Sequence, residues 1–220
     1  MMRFEVMLAG AALAAMTATP AAAQIKAGDV LIRARAIIVA PNESSGAVTP
    51  GFPGSSVGVD NSFAPEVDFT WMATDHIGAE LIVATTKHSV SGRGTLGGLG
   101  TLASTWVLPP TLTLQYHFAP QSHVRPYVGA GANYTIFYSS KASPGLVSAI
   151  GATDVHLNDS FGYALQAGID VDLSKRVFVN LDAKYISIRT TARLTTGGAV
   201  NTVRVRLNPI VAGVGIGIRL

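Results

Sequence analysis

The sequence predicts an all-β protein, an eight-stranded antiparallel up-and-down barrel that crosses a membrane. Three observations predict it. The 220 residues are 48% hydrophobic but only 13% charged, about half the roughly 25% typical of soluble domains, so the charges are too few to coat a soluble surface. Apolar and polar residues alternate with period two in eight segments, the pattern of strands with two unlike faces. Connections alternate short and long, as in membrane barrels with tight turns at one end and large loops at the other.

Composition also excludes several classes. There is no cysteine, so a disulfide scaffold and a cysteine-ligated zinc or iron–sulfur site are ruled out. Net charge is +3 with no Lys/Arg run, which gives no electrostatic footprint for nucleic acid. The apolar content excludes disorder.

Residues 1–23 read as a secretory signal. Arg3 is followed by the apolar run Val6–Met16, Pro20 breaks the helix, and Ala21-Ala22-Ala23 supplies the small residues of a cleavage site before Gln24. The run is shorter than the roughly 20 residues of a spanning helix. The barrel is expected over 24–220.

The first strand is read at about Asp29–Val39, with Val30, Ile32, Ala34, Ala36 and Ile38 opposite Arg33 and Arg35. Phe63–Ala73 follows, with Val67, Phe69 and Trp71 opposite Glu66 and Asp68. Ile77–Thr85 places Ala79, Leu81 and Val83 opposite Glu80, and Thr111–Phe118 places Leu112, Leu114, Tyr116 and Phe118 on one face. Pro126–Tyr138 shows Val128, Ala130, Ala132, Tyr134 and Ile136. Phe161–Leu173 alternates without a break, and Arg176–Thr190 sets Val177, Val179, Leu181, Ala183 and Tyr185 opposite Asn180, Asp182 and Lys184. The last strand, Val203–Leu220, changes its apolar parity at Pro209, and a bulge is expected there because proline cannot donate to the ladder. A similar shift is expected near Ile186–Ile188. Long connections fall at 40–62, 87–108, 139–160 and 191–202.

Alternation alone does not say which face is wet, since a soluble barrel hides its apolar side and a membrane barrel shows it to lipid. The scarcity of charge favours lipid, as do apolar faces long enough to cross a bilayer. Aromatics near the strand ends fit interfacial girdles. Phe63 and Trp71 lie eight residues apart on one face, roughly 26 Å along a strand.

Three blocks carry a family resemblance. Trp71-Met72-Ala73-Thr74-Asp75-His76-Ile77-Gly78-Ala79-Glu80-Leu81, Leu108-Pro109-Pro110-Thr111-Leu112 with Gln115-Tyr116-His117-Phe118, and Arg125-Pro126-Tyr127-Val128-Gly129-Ala130-Gly131-Ala132-Asn133-Tyr134-Thr135 resemble the patterns of the OmpW family. Ala27-Gly28-Asp29 and Leu207-Asn208-Pro209 are similar too. The chain departs from the family at its last residue, Leu220 where the family usually has Phe. The resemblance implies an eight-stranded barrel in a bacterial outer membrane with a narrow, partly hydrophobic channel that admits small hydrophobic molecules. The partners it implies are outer-membrane lipids and lipopolysaccharide, small hydrophobic solutes and, during biogenesis, the barrel-assembly machinery.

By parity the inward face carries Arg33, Arg35, Glu66, Asp68, Glu80, Asp170, Asp172, Asp182, Lys184, Arg204 and Arg206. Near balance of sign predicts a layer of paired charges, because unpaired buried charge is costly. Leu31, Ile37, Val39, Met72, Ile82, Phe137 and Phe178 also face inward, either as packing or as the lining of a path for greasy molecules. The long connections add Phe52, Val57, Leu96, Leu99, Leu102, Trp106, Leu146, Val147 and Ile150. A charged layer that blocks axial passage leaves sideways exit between strands, with Pro65 and Pro209 as the candidate weak points.

Other motifs lack the context their chemistry needs. Gly92-Arg93-Gly94-Thr95-Leu96-Gly97 and Gly54-Ser55-Ser56-Val57-Gly58 mimic nucleotide-binding and hydrolase signatures but sit in external connections without a following helix. The histidines His76, His88, His117, His123 and His156 have no metal-ligand spacing, so neither cofactor nor metal nor catalytic residue is expected. The leading expectation is a passive channel for small hydrophobic solutes. The alternatives are a closed structural or adhesive barrel presenting its loops, or an outer-membrane lipid-modifying enzyme.

Overall fold

The computed structural model describes residues 24–220, so the signal expected over 1–23 lies outside the described residues. Eight strands span the membrane: β1 Val30–Ala40, β2 Ser62–Met72, β3 Ile77–Ala84, β4 Thr111–His117, β5 Val124–Ala142, β6 Ser160–Asp172, β7 Val177–Ile186 and β8 Ile210–Arg219. Each pairs antiparallel with its neighbours in sequence, and β8 pairs with β1 from Leu31↔Arg219 to Ala40↔Ile210, which closes the barrel. Closure is required because hydrocarbon offers no partner to an edge strand's N–H and C=O groups.

The faces follow the alternation. Phe63, Phe69, Trp71, Leu112, Leu114, Phe161, Leu165 and Ile216 are exposed on the outside, where lipid lies. The aromatics pair into clusters at the two ends. Tyr116 sits between His76 (5.5 Å, stacked) and Phe118 (5.2 Å, edge-on) beside the short turns. Tyr163 meets Tyr185 at 6.0 Å, and Trp106 meets Tyr138 at 6.2 Å, toward the long-loop end. Arg33, Asp68, Glu80 and Asp170 on the inner face are wholly buried.

One strand differs. The inner face of β8 carries Gly213, Gly215 and Gly217, and a Cβ on Gly217 would overlap the Phe178 ring. On β6, a Cβ on Gly168 would overlap the Tyr127 ring. The small residues leave the lumen's volume to the large side chains of the other strands.

Beyond the bilayer the chain stays ordered. Thr86–Gly94 and Thr101–Leu108 extend β3 and β4 as one hairpin, and Arg189–Thr196 and Ala199–Arg206 extend β7 and β8 as another. Ser44–Ser45, Ser55–Val59 and Thr153–Leu157 add short strands. Helix α1, Pro144–Ile150, is capped by Ser143, whose Oγ accepts from the Leu146 N–H at 3.1 Å. The long connections are therefore largely built structure. Their apolar residues Val57, Leu96, Leu102 and Leu146 pack against Ala192, Val203 and Val205.

Two expectations are corrected. No bulge marks Pro209, because Tyr185↔Ile210 and Arg189↔Arg206 belong to one unbroken register. Side-chain parity runs straight through, and the polarity of the surroundings reverses instead. Below Pro209 the apolar residues face lipid; above it Val203 and Val205 face an apolar interior. Ile186 and Ile188 face the same interior from the neighbouring strand for the same reason. Consequently Arg204 and Arg206, placed in the lumen by sequence parity, are exposed on the outer surface.

Gly168→Val forces a branched side chain into the Tyr127 ring and costs about 1–3 kcal/mol, measured by urea unfolding in lipid vesicles. Gly97→Ala, whose new methyl meets open space, stays within about 0.5 kcal/mol of the parent.

Candidate functional site

The lumen is stacked in three layers along the barrel axis. At the short-turn end Ile25, Leu31, Met72 and Phe178 form an apolar plug. The Ile25 N–H donates to the Pro120 carbonyl at 2.9 Å, which ties the segment before β1 beneath the barrel.

Above the plug lies a belt of buried ions. Register sets it, since Arg33 lies directly opposite Asp68, and Arg35 opposite Glu66, across β1 and β2. Arg33 clasps Asp170 with two bonds, Nε at 3.2 Å and Nη2 at 2.9 Å, and reaches Asp68 at 2.9 Å and Thr70 at 2.8 Å through Nη1. Arg35 meets Glu66 at 2.7 Å and Asp68 at 2.6 Å. Lys184 joins Glu66 at 2.8 Å to Asp182 at 2.6 Å. Glu80 accepts from the Thr113 hydroxyl at 2.8 Å, and Tyr127 donates to Asp182 at 2.7 Å. The Arg33 guanidinium also sits over the Tyr127 and Phe178 rings, 5.2 and 5.5 Å from their centroids. Seven strands contribute side chains to this belt and the glycine face of β8 makes room for them. Fixed pairs at these distances leave no open path along the axis.

The third layer is a cavity of about 110 Å³, lined almost wholly by carbon. Ile37, Val39, Ile82, Ala84, Phe137, Ile186, Ile188 and Val211 line its lower part, and Val57, Leu96, Leu102, Leu146, Val203 and Val205 its upper part. Glu66 and Lys184, at the top of the belt, form its floor. Cavity and belt therefore share one boundary, where grease meets charge.

The wall beside the cavity has a gap in its ladder. β2 and β3 pair from Met72↔Gly78 up to Glu66↔Ala84 and stop. Pairing resumes only at Val59↔Val90. Between them, among the described residues, no ladder pairing joins 61–65 to 85–88, and the Asp60 N–H to Ser89 carbonyl bond at 3.1 Å marks the upper rim. The cause is Pro65. Ala73 donates to Ile77, and residues at even spacing from that pair exchange bonds, so position 65 would donate to Thr85. Proline has no N–H to give.

His88 stands at this gap. Its Nδ1 lies 2.9 Å from the Asp60 carbonyl, so Nδ1 carries the proton and donates. Nε2 then accepts from the Thr86 hydroxyl at 3.0 Å. Burial holds the imidazole below its ordinary pKa, so it is neutral at pH 7 and this orientation persists.

Of the apolar residues expected to line a path, Ile37, Val39, Ile82 and Phe137 line the cavity. Leu31, Met72 and Phe178 face inward but sit in the plug, on the far side of the belt. Asp172 pairs with Arg125 at 2.5 Å, also below the belt. Pro209 lines the cavity and is buried. Beside it the ladder is mended, since the Ile186 N–H reaches the Pro209 carbonyl at 3.2 Å and the Ile188 N–H reaches Asn208 Oδ1 at 3.2 Å. Sequence reasoning missed Tyr127, whose parity opposite Val128 was the available signal. It also missed Ile186, Ile188, Val203 and Val205 as cavity walls.

Known proteins resemble the chain throughout. The model of the OmpW family matches residues 26–220. Outer membrane protein W of Escherichia coli is 39% identical over 186 residues, covering 84% of each chain. The Dibenzothiophene metabolism operon protein PahQ of Pseudomonas aeruginosa is 30% identical over 168 residues, 75% of each. The crystal structure of the outer membrane protein OprG from Pseudomonas aeruginosa superposes with a TM-score of 0.84 at 31% identity, covering 90% of this chain and 98% of that one.

Arg33→Met leaves Asp170 buried without its cation and Asp68 with Arg35 alone, and destabilises the barrel by about 3–5 kcal/mol. The double variant Arg33→Met/Asp170→Asn loses less than the two single variants added together, because the residues share one network. Unfolding in vesicles measures both.

Proposed function

This chain belongs to the OmpW family of outer-membrane β-barrels, and from that premise we propose that it is a passive, non-enzymatic channel for small hydrophobic molecules. A solute enters the cavity from outside the cell, descends past Val39, Ile82 and Phe137, and stops at the Glu66–Lys184 floor. It leaves sideways into the membrane through the unpaired stretch beside Pro65.

The observation that carries the reading is the order of the layers. A carbon-lined cavity ends on a belt of ion pairs, and its side wall lacks ladder hydrogen bonds directly above that belt. A hydrophobic solute gains by leaving water for such a cavity, at about 25 cal/mol per Å² buried. It gains nothing by entering the belt, where it would separate ion pairs. PahQ, a relative named for dibenzothiophene metabolism, supports the class of solute. A closed structural barrel shares the belt but has no use for the gap, so the gap separates the two readings.

Ile82→Asp places a carboxylate in the cavity wall. Uptake of an alkane-like or aromatic solute by vesicles containing the protein falls at least about tenfold, because even partial desolvation of that group exceeds the 1.4 kcal/mol that a factor of ten represents. Pro65→Val restores the missing donor and slows release into the bilayer while the folded barrel persists. Uptake unchanged in both variants overturns the channel.

A further inference from the structure

Arg204 and Arg206 belong to a surface feature that solute passage does not use. Four arginines, Arg189, Arg193, Arg204 and Arg206, lie exposed on the outer face of the hairpin that extends β7 and β8. Arg189 and Arg206 are direct partners across the ladder, and Arg204, opposite Thr191, lies two residues from Arg206 on the same face. Like charges placed directly opposite destabilise a strand pair. Among the described residues no carboxylate forms an ion pair with any of the four. Asp159 lines the same groove, but it already accepts from the Tyr134 hydroxyl at 3.1 Å and the Phe137 N–H at 3.2 Å.

Their height on the barrel is defined. Arg189 and Arg206 stand four residues above Tyr185 and Ile210, which face lipid. Four residues are about 13 Å along a strand, or roughly 10 Å vertically at a typical tilt. The guanidinium groups thus reach the level just outside the hydrocarbon, where headgroups lie, and they point away from the lumen.

We propose that this arginine face is a binding site for the phosphate groups of lipid A, the phosphorylated glycolipid of the outer leaflet. Guanidinium forks match phosphate oxygens in pairs, and an anion between Arg189, Arg204 and Arg206 removes the repulsion that the bare register leaves. Ser44, Asn158 and Thr191 line the same groove and supply the hydroxyl and amide groups that suit a phosphorylated sugar. The site lies on the outside of the wall and is independent of solute passage.

The test titrates the folded protein in detergent micelles with diphosphorylated lipid A and with the same lipid after dephosphorylation, read by native mass spectrometry. The phosphorylated lipid binds at least about tenfold more tightly, the equivalent of one charge-assisted hydrogen bond. Arg189→Gln/Arg204→Gln/Arg206→Gln abolishes the preference, whereas Lys175→Gln/Arg176→Gln, at a short turn on the opposite end, keeps it. Equal binding of the two lipids to the parent protein overturns the proposal. So does a preference that survives in the triple variant, or inorganic phosphate binding as tightly as the lipid. The comparison on the parent protein decides the matter even where the triple variant fails to fold.

Discussion

The structure depends on a constraint set by hydrocarbon, in which every backbone N–H and C=O must find a partner within the protein. Eight strands meet it by closing β8 onto β1. Closure at that strand number fixes a lumen only wide enough for side chains, and the sequence then decides how those side chains fill it. A belt of paired ions occupies the middle level, a carbon-lined cavity the level above and an apolar plug beside the Arg125–Asp172 pair the level below, and the two large rings of Tyr127 and Phe178 fit only because Gly168 and Gly217 carry no Cβ. Buried ion pairs are weak stabilisers relative to well-packed carbon. Their consequence here is geometric, a rigid septum anchored on seven strands.

The fold was legible because within the bilayer the rule relating polarity to face is simple. Arg33, Arg35, Glu66, Asp68, Glu80, Asp170, Asp182 and Lys184 could be placed by counting residues in twos, and all are buried inside. The rule fails where the hydrocarbon ends. Above Pro209 water and headgroups lie outside and an apolar cavity lies inside, so the same parity assigns Arg204 to the wrong side. A shift in the apolar phase of a long strand has two physical origins, an inserted residue or a change of solvent, and one sequence does not tell them apart. Register does, and it is continuous here.

The candidate site was legible only in part. Ile82 and Phe137 were recognisable as apolar residues on a polar face. Leu31, Met72 and Phe178 carry the same signature yet belong to the plug, because alternation reports a residue's face and not its height relative to its neighbours. Pro65 was recognisable for its missing donor. That the donor is missing toward β3, where nothing replaces it, needed the pairing of three strands. The ordered long connections were hidden for another reason. Glycine, serine and threonine read as loop locally, while hairpin formation there rests on distant partners such as Val203 and Val205.

At the height of Val39 and Phe137 the barrel wall is one residue thick, with carbon on both sides of it. A partition between two phases of similar polarity offers no thermodynamic preference for either compartment. In the proposed channel, net flow across it therefore follows the concentration difference alone. Under that proposal, any one-way character comes from downstream consumption of the solute.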